Sequence, residues 1–281
     1  MDASTTWEMS PELRSRVRTA VIGLIPMLLL LFFGSRFGVA VIAAIISLGM
    51  IYEFSGMVFT LPDQVAKRKV LMGCTWLLAF VNFWIPRSEY ELLLFSFLGL
   101  FAYFLFTVEA HQEEAMTTHF RELMYSIFGL VYLAFLPLFL VLIRDSAFGL
   151  KWTFLFFLLV WGGDTGAYFV GKKYGKRKLF PAISPKKTVE GALGGMGVGA
   201  ALTLLFKVLF FKELGWGMIL ILPLIIGVVA PIGDLCESFL KRAFHRKDSG
   251  SILPGHGGFL DRFDGVIFSA PIMYGCIRLF G

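Results

Sequence analysis

Runs of about twenty apolar residues recur along almost the whole chain, each broken by a short polar or basic stretch. That rhythm leaves few folds open. A helix of about twenty residues crosses a hydrocarbon core about 30 Å thick. Within lipid each backbone polar group must find its partner inside the segment, which a helix achieves. The 281 residues are 57% hydrophobic and only 16% charged, whereas a soluble domain carries about 25% charged residues. The sequence therefore predicts an all-α, polytopic integral membrane protein of about nine transmembrane helices, packed as a single membrane domain over 1–281. Ser10-Pro11-Glu12 starts the first helix, which becomes apolar through Phe33. The remaining spans fall at about 37–59, 70–85, 90–108, 123–143, 152–170, 191–211, 216–231 and 266–281. The fifth is interrupted by Pro137. The seventh is rich in glycine, which lets helices approach closely.

The net charge of +6 would suggest nucleic acid in a soluble protein. Here it reads as the positive-inside rule, and no nucleic-acid partner is expected. Nine spans place Arg14, Arg16, Arg18, Lys67–Lys69 and the Lys172–Lys187 cluster on one side, which that rule makes cytoplasmic. Residues 1–16 are then a cytoplasmic N-terminal segment, and 171–190 and 233–265 are cytoplasmic segments able to carry an active site. The polar stretch 109–122, on the same side, is acidic rather than basic. Cys74, Cys236 and Cys276 lack metal-ligand spacing and read as reduced, non-catalytic thiols.

Against this oily background, Ser238–Gly265 gathers Lys241, Arg242, Lys247, Arg262, Asp248, Asp261 and Asp264. Asp164, in Trp161-Gly162-Gly163-Asp164, and Asp234, just beyond Pro231, lie within or at the end of apolar spans. A carboxylate there costs several kcal/mol, by order of magnitude, unless it is paired, hydrated or metal-bound. Asp234, Glu237, Ser238 and Lys241 stand at i, i+3, i+4 and i+7, one face of a helix. The same stripe also fits a helix lying at the interface with a solvated face. Asp261 and Asp264, at i and i+3, share a helical face and offer paired hard oxygens of the kind Mg²⁺ takes, with Asp234 able to add a third. Salt bridges to Arg262 and Lys247 are the plainer use of these aspartates.

Gly257 and Gly258 follow Pro254, Gly255 and His256 in a turn whose amide groups could approach a phosphate. His256 is a candidate for contacting phosphate or moving a proton. In the basic loop, Ser184, Lys186, Lys187, Thr188 and Glu190 precede the seventh span, with Thr188 as a candidate N-cap. A helix N-terminus on that side favours anions. Anionic lipid headgroups would also be attracted there.

The order Ser238-x-Leu240-Lys241-Arg242-x4-Lys247-Asp248-x-Gly250-x2-Leu253-Pro254-x-His256-Gly257-Gly258-Phe259-x-Asp261-Arg262-Phe263-Asp264 resembles the signature of the phosphatidate cytidylyltransferase family. Asp164-Thr165-Gly166-Ala167-Tyr168 and Ile183-Ser184-Pro185-Lys186-Lys187-Thr188-x-Glu190-Gly191 resemble the same family. The resemblance implies a dimeric, all-helical enzyme of the cell (inner) membrane, its site facing the cytoplasm. CTP and phosphatidate would be its substrates, and CDP-diacylglycerol and pyrophosphate its products. It also implies Mg²⁺ on Asp234 and Asp261, with a monovalent cation such as K⁺ beside it. On this reading Lys241, Arg242, Lys247 and Arg262 hold phosphates, Asp264 supports the metal and Asp248 orients a lysine. Asp164, Glu237, Ser238 and the loop residues would contact substrate. Two other classes compete: an ion-coupled transporter, which also uses intramembrane carboxylates and broken helices, and a CDP-alcohol-type lipid phosphotransferase.

Overall fold

The computed structural model describes residues 11–108, 113–254 and 257–281. Among them the chain forms nine helical rods. These are α1 (Pro11–Phe33), α2 (Ser35–Val58), α3 (Val65–Trp84), α4 (Glu89–Phe106), a rod made of α5 (Glu113–Gly129) and α6 (Phe139–Asp145), α7 (Gly149–Tyr174), α8 (Val189–Leu209), α9 (Met218–Ala243) and α10 (Leu260–Phe280). Seven are long and apolar enough to cross a membrane; α1, whose apolar part is Val17–Phe33, and α3 fall short of that measure. Large side chains such as Ile22, Phe33, Phe95, Leu220 and Phe239 point outward. On a soluble protein that surface would drive aggregation; facing lipid it is the expected finish. The chain is an all-α polytopic membrane protein.

Three departures from the sequence reading have physical causes. The fifth span begins earlier than expected, because Glu113–Glu122 is already helical and the polar face of α5 is satisfied: Glu122 is buried and takes hydrogen bonds from Gln64 (2.5 Å) and Lys67. Between α5 and α6, a π-helical turn at Leu130–Phe135 and a 3₁₀ turn at Leu136–Leu138 carry the rod past Pro137 without ending it. The eighth span does not stop at Pro231. Helix α9 runs through it to Ala243, so Asp234–Arg242 belongs to a membrane helix and not to a surface segment.

One short hairpin interrupts the helices. In the basic loop, β1 (Lys178–Phe180) pairs antiparallel with β2 (Ser184–Thr188), with Lys178 opposite Thr188 and Phe180 opposite Ser184. Two prolines and the absence of a helical apolar period in 176–187 exclude a helix there.

Helices α7 and α8 pack closely, and glycine makes it possible. A Cβ on Gly195 would lie 2.8 Å from the Gly163 carbonyl oxygen and 3.1 Å from the Ala167 Cβ. Gly197, half a turn away, has open space around the same position. Gly195→Ala is therefore expected to destabilise by about 1–3 kcal/mol through overpacking. Gly197→Ala should be neutral or slightly stabilising, since alanine is the better helix former by about 1 kcal/mol. Thermal midpoints of the two variants in detergent check the opposite signs.

Candidate active site

Helices α7–α10 and the hairpin surround a cavity of about 900 Å³. Asp164 lines it from α7, and Lys186, Lys187 and Thr188 line it from the end of the hairpin. Asp234, Glu237 and Lys241 come from α9, and Asp261, Arg262 and Asp264 from α10. Segments separated in sequence by up to a hundred residues thus share one polar chamber inside an otherwise apolar bundle.

The chamber is built from local rules. Thr188 is the N-cap of α8, its Oγ1 accepting from the Gly191 N–H at 3.1 Å, as the sequence predicts. This cap ends the hairpin beside the chamber. Lys187 then reaches across, with Nζ 2.5 Å from Asp234 Oδ2 and donating to the Pro231 carbonyl at 3.2 Å. On α9, Asp234, Glu237 and Lys241 share the predicted face, and Lys241 Nζ lies 2.8 Å from Glu237 Oε2. Gly233 lets α9 and α10 touch backbone to backbone: a Cβ there would sit 2.7 Å from the Asp264 carbonyl oxygen. That approach brings Asp234 beside Asp264.

At the start of α10, Asp261 is heavily engaged. Its Oδ1 accepts from Lys241 Nζ at 2.6 Å. Its Oδ2 accepts from the Gly258 N–H (2.9 Å), the Ser249 N–H (3.2 Å) and the Ser249 hydroxyl (2.9 Å). The carboxylates close enough to ligate one ion together are instead Asp234, Glu237 and Asp264, whose nearest oxygens lie within 4.8 Å of one another. Glu237 is 1% exposed, and its Oε1 has no hydrogen-bond partner among the described residues. A buried carboxylate oxygen left open beside two more carboxylates fits a hard divalent cation. Of the expected ligand pair, Asp234 belongs to this trio, while Asp261 stands beside it in the same chamber with its oxygens bonded by Lys241, by the Ser249 and Gly258 amides and by the Ser249 hydroxyl.

Other expected residues lie elsewhere. Arg242, Lys247 and Asp248 are exposed and do not line the chamber, and Arg242 donates to the Arg246 carbonyl. Glu190 takes the amides of Lys176 and Arg177 and the Arg177 guanidinium, which fastens the start of the hairpin to α8. Ser184 sits in β2 outside the chamber lining, and Ser238 Oγ is 3.5 Å from Asp234 Oδ1. The Gly258 amide faces Asp261 and so is not open to a phosphate; the Gly257 carbonyl accepts from the Leu253 N–H. Gly257 has φ +83°, a left-handed conformation that glycine adopts without strain. His256 and residues 1–10 lie outside the described residues. The cysteines are free, as expected.

Sequence reading did not single out Glu53 of α2 or Ser249, whose hydroxyl bonds both Glu53 and Asp261. Glu53 is 5% exposed and accepts from the Ser249 hydroxyl, 196 positions away. An acid inside an apolar span is itself a signal, the one that singles out Asp164.

The fold and the chamber define a class: a membrane-embedded enzyme with a site of cations and carboxylates suited to phosphate chemistry. Residues 14–280 match the Cytidylyltransferase family, and the chain belongs to it. It is 34% identical over 280 residues to the phosphatidate cytidylyltransferase of Bacillus subtilis (strain 168), covering 96% of this chain and 99% of that protein. It is 35% identical over 265 residues to that of Brucella suis biovar 1 (strain 1330), covering 94% and 92%. A stretch of 135 residues is 44% identical to that of Staphylococcus saprophyticus, about half of each chain.

Proposed function

We propose that this chain transfers the cytidylyl group of CTP to phosphatidate, forming CDP-diacylglycerol and pyrophosphate, at the cytosolic face of the cell membrane. The observation that carries the reading is the chamber itself: cations and carboxylates of α7–α10 and the hairpin converge on one cavity, and at the membrane face it would let a soluble triphosphate meet a lipid headgroup. Full-length similarity to proteins named phosphatidate cytidylyltransferase supports the choice of substrates. Family membership favours this over an ion-coupled transporter or a CDP-alcohol phosphotransferase.

A phosphate oxygen of phosphatidate attacks the α-phosphorus of CTP, the bond from that phosphorus to the bridging oxygen breaks, and pyrophosphate leaves. The nucleophile is already an anion, so no strong base is needed. The obstacle is charge repulsion, and positioned cations lower it. Lys186, Lys187 and Arg262 face the chamber and are placed to hold the phosphates. Asp234, Glu237 and Asp264 would hold Mg²⁺, which neutralises triphosphate charge and polarises the α-phosphorus when bound. Lys241 supplies a monovalent positive charge between Glu237 and Asp261. A K⁺ ion there would compete with that ammonium. Asp164 stands across the chamber from α9 and orients the cations that approach Asp234.

Purified protein given labelled CTP, phosphatidate and Mg²⁺ should place label in the lipid phase and release pyrophosphate, and a chelator should stop both. Hydrolysis of CTP without label entering lipid would overturn the reading.

A further inference from the structure

Helix α10 begins at the residues that form the floor of the site, yet its own sequence caps it only in part. Phe259 stands at the N-cap position and its side chain makes no cap bond, and Asp261 of the first turn takes the Gly258 N–H but not those of Phe259 and Leu260. The first amides of a helix need acceptors. Glu53, from the middle of the bundle, supplies them. Its Oε1 accepts from the Phe259 N–H at 3.0 Å and its Oε2 from the Leu260 N–H at 3.0 Å. The Ser249 hydroxyl lies 3.0 Å from Glu53 Oε2 and 2.9 Å from Asp261 Oδ2, so one proton is shared between two carboxylates.

The surroundings are shaped for this carboxylate. The three atoms nearest to a Cβ on Gly250 all belong to Glu53 and would lie within 3 Å of it. One turn earlier on α2, a Cβ on Gly49 would strike the ring of Phe259 at 2.7 Å. Phe259 in turn stacks on Phe263, 6.1 Å between ring centroids, and Phe263 lines the chamber.

We propose that Glu53 is a positioning residue for the cytidylyl transfer: by capping α10 from another helix and sharing the Ser249 proton, it sets where Asp261 and its Lys241 partner face the chamber. The inference rests on the function proposed above. Glu53 is not among the residues that line the chamber. A misplacement of about 1 Å in a site can cost about 10²-fold in rate, so a residue this far from the chemistry can still govern turnover.

Glu53→Gln is the direct test, because both oxygens accept and either amide orientation points an NH₂ at a donor. With the variant folded, kcat should fall about 30- to 100-fold while KM for CTP changes less than about threefold. Amide exchange at Phe259 and Leu260 should accelerate at least about tenfold. Leu78→Ala, in the buried core of α3, serves as a control for lost stability alone and should keep its kcat and its Phe259–Leu260 protection. If Glu53→Gln does not fold, Gly250→Ala, whose methyl presses most closely on Glu53, should give the same pattern at smaller amplitude. Unchanged kcat in the folded variant, or an equal kcat loss in Leu78→Ala, would overturn the proposal. The exchange measurement does not depend on the substrates, so failure of the functional assignment remains separate from failure of the capping role.

Discussion

Lys241→Met should be both inactive and unstable. Its ammonium lies 2.8 Å from Glu237 and 2.6 Å from Asp261, with the lysine side chain 12% exposed. Methionine keeps much of the stem's packing but leaves two half- to fully buried carboxylates without their cation. Removing one partner from a buried ion pair costs about 3–5 kcal/mol. Turnover should fall by about 10³-fold, since the carboxylates that flank the chamber would move apart or take up protons, and the phosphates would lose a neighbouring positive charge. Lys241→Arg keeps the charge but spreads it over a planar fork that does not match two carboxylates on adjacent helices. It should recover stability more fully than rate. Thermal midpoints in detergent, measured beside turnover of labelled CTP, check both parts.

Asp264→Asn should separate the two properties. Asp234, Glu237 and Asp264 bring three carboxyl groups within 4.8 Å of one another, and Lys187 beside Asp234 and Lys241 beside Glu237 offset only part of the repulsion that opposes folding. Replacing one acid by its neutral isostere relieves that repulsion and keeps an oxygen for the Gly265 N–H, 2.7 Å away. The variant should be at least as stable as the parent without added metal. Its turnover should nevertheless fall about 10³-fold, equivalent to about 4 kcal/mol of transition-state stabilisation. Loss of activity together with retained or raised stability is the mark of a functional site maintained at the expense of the fold. Asp234→Asn should show a milder form, because it also frees Lys187 from a 2.5 Å ion pair.

Much of this chamber was legible in the sequence. Apolar periodicity reveals the helical rods, because bilayer thickness imposes a length that each segment reports by itself. The i, i+3, i+7 placement of Asp234, Glu237 and Lys241 puts them on one face before any neighbour is known, and the Thr188 cap depends only on residues three positions apart. What escaped depends on partners far away in sequence. The gathering of Glu237 and Asp264 beside Asp234, with Asp261 bonded to Lys241, follows from how closely α9 and α10 approach at Gly233, and from a lysine that reaches between helices. Glu53 is an isolated acid in α2 until α10 arrives with uncapped amides. The continuation of α9 past Pro231 was hidden because proline usually marks an end, while neighbouring helices in a bundle make it tolerable.

Binding of Mn²⁺ to the purified protein, followed by the loss of its free-ion electron paramagnetic resonance signal, bears most directly on the proposal that Asp234, Glu237 and Asp264 hold a metal ion. The parent protein should bind the ion, Mg²⁺ should displace it, and Asp264→Asn should weaken binding at least about tenfold. Equal Mn²⁺ affinity in the parent and in Asp264→Asn, with affinity lost instead in Asp261→Asn, would contradict the account.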